Sequence, residues 1–208
     1  VTNETTSREQ PSASPLESSA QEPNAPQNRS RKRTLIEWVL VLVVALGVAF
    51  GLRTFAFQVY YVPSTSMVPT LLVGDRIVVD KLLFNYHSLK EGDIVVFSRP
   101  PADTECGANE ADLVKRVIGL PGEEISSRGN TVYINNKPLN EPYLPRLDPL
   151  GPKGIGQETI PKNEFFVMGD NRAISCDSRY WGTIEGSSIV GRVIAVVWRD
   201  GRPDLHTF

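Results

Sequence analysis

Histidine and cysteine are almost absent from this chain, and neither charge dominates it. Each shortage removes a class of function. The two histidines, His87 and His206, lie far apart and belong to no HExxH, so a hydrolytic zinc site has no ligand set. The two cysteines, Cys106 and Cys176, form no CxxC pair of the kind that makes a zinc knuckle. No metal and no other cofactor is expected. Lys and Arg number 22 against 24 Asp and Glu, so no broad basic face marks the chain for nucleic acid. Internal repeats are missing, as is any long segment with a clear 3.6-residue period. With 16 Gly and 16 Pro, turns should be frequent and long helices few.

Large apolar side chains are also scarce in residues 1–34, which are rich in Ser, Pro, Glu, Gln and Asn. Such a segment cannot bury enough surface to offset its backbone entropy, and a disordered tail is expected there. It ends in the basic cluster Arg29 to Arg33. Then comes the one long apolar run, Trp38 to Leu52, without a charge and without a polar face. Extended from Leu35 to Phe57, a helix would span roughly 34 Å, enough for a hydrocarbon core of about 30 Å. Glu37 and Arg53 then lie near the two interfaces, with Trp38, Phe55 and Phe57 at headgroup depth. A cleavable signal fits poorly behind so long a polar leader. A retained single-pass anchor over 35–57 is therefore expected. The basic cluster on its amino side places the tail in the cytoplasm and residues 58–208 on the exported side.

Beyond the anchor, short apolar runs recur between turn signals: "FQVYYV", "DRIVVDKL", "DIVVF", "LVKRVIGL", "TVYINN", "EFFVMGD" and "SSIVGRVIAVVW". They are rich in Val, Ile, Tyr and Phe, as strands are. "SSRGNTVYINNKPL" reads as successive hairpins turning at Arg128 to Asn130 and at Asn135-Asn136. The fold class is mostly β, one domain behind a single amino-terminal helix. Two stretches, Arg99 to Asp112 and Glu141 to Asn163, are long loops dense in Pro and Gly. Loops of that length are uncommon unless they carry function or are mobile.

The turn "PSTSMVPTL", Pro63 to Leu71, sets Ser64 and Ser66 between prolines. A serine hydroxyl is a weak nucleophile and needs a base, and neither histidine lies in a recognisable constellation. A lysine stripped of solvent is the alternative. In an alternating strand Lys115 shares a face with Leu113 and Val117, while Arg116 faces the other way. Burial among apolar neighbours lowers a lysine pKa and makes the neutral amine available.

"PSTSMVPTLLVGD", "VKRVIGLPGE" and "MGDNRAISCDSRYWG" follow one another in this order, downstream of the anchor. From about residue 35 onward the chain resembles the type I signal peptidases, membrane-bound serine proteases that use a Ser-Lys dyad. The resemblance implies that Ser66 is the nucleophile and Lys115 the general base. It implies an oxyanion hole from the Ser64 hydroxyl and the Ser66 amide, with Ser175 orienting the lysine amine. Asp170, Arg172, Asp177 and Arg179 are implied as structural support, and their close alternation of sign suggests that they pair locally. The implied substrates are signal peptides of secretory precursors, cut after small residues in an Ala-x-Ala pattern at the exported face of a lipid bilayer. Ala173-Ile174 depart from the small polar residues more usual there.

On the exported side disulfides persist, so a Cys106–Cys176 bridge is expected, with two buried thiols as the alternative. Two other functions compete. A self-cleaving repressor protease would need a DNA-binding amino domain where the anchor stands. An inactive membrane-tethered scaffold of the same family would be expected to lack Ser66 or Lys115, and both are present.

Overall fold

The computed structural model describes residues 31–208 except 83, 105, 107–109 and 146–148, without the side chains of 31, 32, 50 and 52–55. The tail expected over 1–34 thus lies almost wholly outside the described residues. Helix α1 spans Arg31–Ala56, and its apolar side chains from Leu35 to Val48 stand exposed. Among the described residues no helix is long and apolar enough to cross a membrane. The anchor expected over 35–57 runs onto residues 50 and 52–55, whose side chains are outside that set.

The rest is mostly β. Strands β1 (Phe57–Tyr61), β2 (Arg76–Asp80), β3 (Ile94–Ser98) and β4 (Asp112–Gly119) come first, each from an expected apolar run. Then follow β5 (Glu124–Arg128), β6 (Thr131–Ile134), β7 (Lys137–Pro138), β8 (Glu158–Thr159) and β9 (Glu164–Met168). The short helix α2 (Ser178–Trp181) precedes β10 (Ile184–Glu185), β11 (Ile189–Arg199) and β12 (Arg202–Thr207). An eight-stranded sheet runs β1-β2-β11-β3-β4-β9-β10 with β12 on β11, and a four-stranded sheet runs β7-β6-β5-β8. Every strand pairing within the two sheets is antiparallel. The hairpins turn where the sequence suggests: Asn135 and Asn136 both hold positive φ, as a tight two-residue turn requires. Strand β8 is a short element inside the stretch expected to be loop throughout from Glu141 to Asn163.

Apolar side chains gather in three clusters, and two of them hold the site. Met67 and Leu71, with Val62, pack into the first beside Ile77, Val79, Ile94 and Val96. The turn carrying Ser66 is therefore nailed to the core on its carboxyl side. The second cluster joins Val95, Phe97 and Val117 to Phe165, Val167 and Trp181. Lys115 stands opposite Val95 in the β3–β4 ladder, on the face that this cluster covers. Burial of large apolar side chains, at about 25 cal/mol per Å², is what holds such a lysine away from water.

Candidate active site

Three segments distant in sequence meet at one cleft of about 230 Å³, bordered by residues 60–67 on one side and 112–115 on the other. Strand β4 pairs with β3 along Asp112 to Arg116, but with β9 only from Arg116 to Gly119. Among the described residues the β9-side edge of 112–115 consequently has no strand partner. The third segment follows β9: Asn171 donates its backbone N–H to Ser66 O at 3.0 Å and its side-chain amide to Thr65 O at 3.3 Å. Gly169 permits this approach, because a Cβ there would collide with both Ser66 O and the Ser175 side chain.

Inside the cleft Lys115 Nζ donates to Ser66 Oγ at 2.7 Å, and Ser64 Oγ lies 3.2 Å from Ser66 Oγ. Lys115 is 4% exposed. Burial is the largest influence on its amine and pulls the pKa down to about 8. Arg179 acts in the same direction, while Asp177, Asp103 and Asp170 oppose it. A group doing base chemistry through this amine works only when the amine is neutral. A reaction that used this amine as its base would be expected to rise in rate with pH through about 8 and to lose roughly tenfold per unit well below it. A pH–rate profile checks this; a flat profile from mildly acidic to alkaline pH contradicts it.

Ser175 Oγ is buried and, among the described residues, has no hydrogen-bond partner. It shares the close packing around Gly169 with Ser66 O, but no bond to Lys115 is formed. The four charged residues pair less locally than the alternation of sign suggests. Asp177 and Arg179 do pair with each other: Arg179 Nε and Nη2 donate to the two carboxylate oxygens at 2.7 and 2.8 Å. Asp177 also caps α2 and accepts the Gly169 N–H at 3.0 Å. Asp170, by contrast, accepts from Arg116 of β4 at 2.8 and 2.5 Å, and Arg172 donates to Glu141 of the long loop. Arg116, on the face of β4 opposite Lys115, is buried under Tyr143, its guanidinium 3.8 Å from the ring centre. Arg116, Glu141 and Tyr143 are the site's supports that sequence reasoning missed. The only sequence signal was Arg116 itself, a second charge in an otherwise apolar strand.

Cys106 and Cys176 are joined as a disulfide on the cleft wall, with Cα atoms 5.9 Å apart. Asp103 lies close to both sulfurs, within 4.8 Å. Since the sulfurs are bonded to each other, that trio offers a metal ion one carboxylate and no thiolate.

Residues 35–198 match the family profile described as signal peptidase, peptidase S26. Signal peptidase I of Leptolyngbya laminosa is 37% identical over 192 residues, which cover 90% of this chain and 89% of that protein. Signal peptidase I of Bacillus licheniformis is 36% identical, covering 79% of this chain and 89% of its own. A crystal structure of a signal peptidase I from Enterococcus faecalis, 30% identical, overlaps 50% of this chain and 96% of its own with a TM-score of 0.39. The chain belongs to the signal peptidase family, peptidase S26. Its activity is accordingly that of a serine peptidase that cleaves signal peptides.

Proposed function

We propose that Ser66 and Lys115 are the catalytic dyad of a membrane-anchored endopeptidase that cuts exported precursors after small residues. The observation that carries this is the 2.7 Å contact of a buried lysine amine with a serine oxygen inside a cleft. With the amine neutral, the Ser66 O–H donates to Nζ along the same line. Ser66 Oγ then attacks the scissile carbonyl carbon as its proton passes to Lys115. The oxyanion that forms takes a hydrogen bond from the Ser64 hydroxyl, 3.2 Å from the nucleophile, and one from the Ser66 amide. Lys115 returns its proton to the leaving amine as the C–N bond breaks, which leaves an ester on Ser66. Water, deprotonated by the same amine, hydrolyses the ester. Ser175 is the hydroxyl that takes over the amine once Ser66 is acylated. Its buried oxygen has spare hydrogen-bonding capacity and carries no charge that would keep the lysine protonated.

The open edge of 112–115 suits an extended substrate, whose backbone can add to β4 while shallow hollows select small side chains. The exposed apolar side chains from Trp38 to Val48, a stretch without a charge, support an anchor over 35–57 with its amino side cytoplasmic and the cleft on the exported side. Incubating the detergent-solubilised chain with a precursor whose signal ends in Ala-x-Ala tests the proposal. A single new amino terminus just after that tripeptide is expected. Cleavage at scattered positions, or none, contradicts it.

The Cys106–Cys176 bridge closes a loop of 70 residues, worth about 4 kcal/mol on a chain-entropy account. Because Cys176 directly follows Ser175, reduction is expected to loosen that hydroxyl and lower the rate without removing the nucleophile. Turnover measured on a chain with both thiols confirmed free checks this, and an unchanged rate makes the bridge purely structural.

A further inference from the structure

Asp103 has no role in the chemistry described so far, yet it lines the same cleft as Lys115 and Ser66. Its side chain is almost wholly buried, and among the described residues neither carboxylate oxygen receives a hydrogen bond. Arg99 Nε comes within 2.9 Å of Oδ2 but is not aligned to donate, and the Arg99 side chain is 20% exposed. The other two acids whose fields reach Lys115 are placed differently. Asp177 is gripped by Arg179 and Asp170 by Arg116, each through a buried two-pronged contact. Of these three acids, Asp103 is thus the one that no guanidinium grips in this way. It is also tethered: Cys106 lies three residues on, and the bridged sulfurs are within 4.8 Å of the carboxylate.

We propose that Asp103 is a positioning residue of the proton transfer, its carboxylate supplying the charge against which the Lys115 ammonium forms, held in place by the Cys106–Cys176 bridge. This deepens the dyad reading and rests on it. When Lys115 takes the proton of Ser66, a positive charge appears in a desolvated cleft, and a fixed carboxylate stabilises it there. The same carboxylate makes the amine a stronger base and holds the acid limb of the pH–rate profile higher. Arg179 lowers that limb, and Arg99 lowers it indirectly by partly cancelling Asp103.

The test is the pH–rate profile of the detergent-solubilised full chain acting on a precursor. Asp103→Asn is expected to move the acid limb down by about half a unit or more and to lower the plateau. Arg99→Gln, a milder change at a partly exposed side chain, is expected to move the limb up. Its result decides the matter if Asp103→Asn fails to fold. The double variant Cys106→Ser, Cys176→Ser is expected to shift the limb in the direction of Asp103→Asn. If it does not, the bridge has no part in placing the carboxylate. Lys115→Ala separates the two readings. If it retains turnover, the dyad fails and this inference with it. If it is inactive while the Asp103 and Arg99 variants keep the limb of the parent chain, only the role of Asp103 is overturned.

Discussion

Ser66→Ala is expected to abolish precursor cleavage, with a loss of about 10⁴-fold or more, while the chain stays folded. Among the described residues the hydroxyl is hydrogen-bonded to Lys115 Nζ and Ser64 Oγ alone, and the core beside it includes Met67 and Leu71. Removing one oxygen leaves that packing untouched. Lys115→Ala is expected to be as severe, because an alcohol without a base stays protonated at neutral pH. The double variant should be no worse than either single one, since groups that act as a unit are lost together. Turnover of each purified variant, with contaminating protease excluded, is the measurement. Additive losses in the double variant would mean that the two residues act independently.

Asp177→Ala is expected to cause the largest loss of stability, about 3–5 kcal/mol. Both members of the Asp177–Arg179 pair are completely buried. Without the carboxylate the guanidinium is an uncompensated buried charge, the Gly169 N–H loses its acceptor and α2 loses its cap. Against a total stability of about 5–15 kcal/mol such a loss removes a large share of the fold. Arg179 also donates to the carbonyls of Leu150, Arg172 and Ser175. The double variant Asp177→Ala, Arg179→Met is therefore expected to regain only part of the loss. Denaturant unfolding of the parent chain and the two variants measures this; a change under 1 kcal/mol for Asp177→Ala would show that the pair is not a support of the loop.

The strands that could be read from the chain are those whose burial leaves a pattern. Runs such as "DIVVF" and "EFFVMGD" became β3 and β9 because both faces of those strands are covered. Strand β12, "RPDLHT", carries few apolar residues and left no such trace, and β5, "EISSR", was legible only through the hairpin turn that follows it. Their places come from hydrogen bonding to β6 and β11, which only the assembled sheet provides. Lys115 was legible because it interrupts an apolar face between Leu113 and Val117. The partners of the supporting charges were not. Asp170 reaches Arg116 and Arg172 reaches Glu141, and a contact between residues far apart in sequence imposes no local spacing. Asp103 went unread for the same reason, sitting in a loop with neither periodicity nor motif. Motif order carried the function, and the electrostatic surroundings of the lysine had to be seen in three dimensions.

The dyad can be tested most directly by trapping the covalent step. A precursor turnover quenched rapidly in acid, followed by peptide mass mapping, should show the signal segment esterified to the hydroxyl of Ser66 and absent in Lys115→Ala. An ester on Ser64, Thr65 or any other residue would contradict the assignment of Ser66 as the nucleophile.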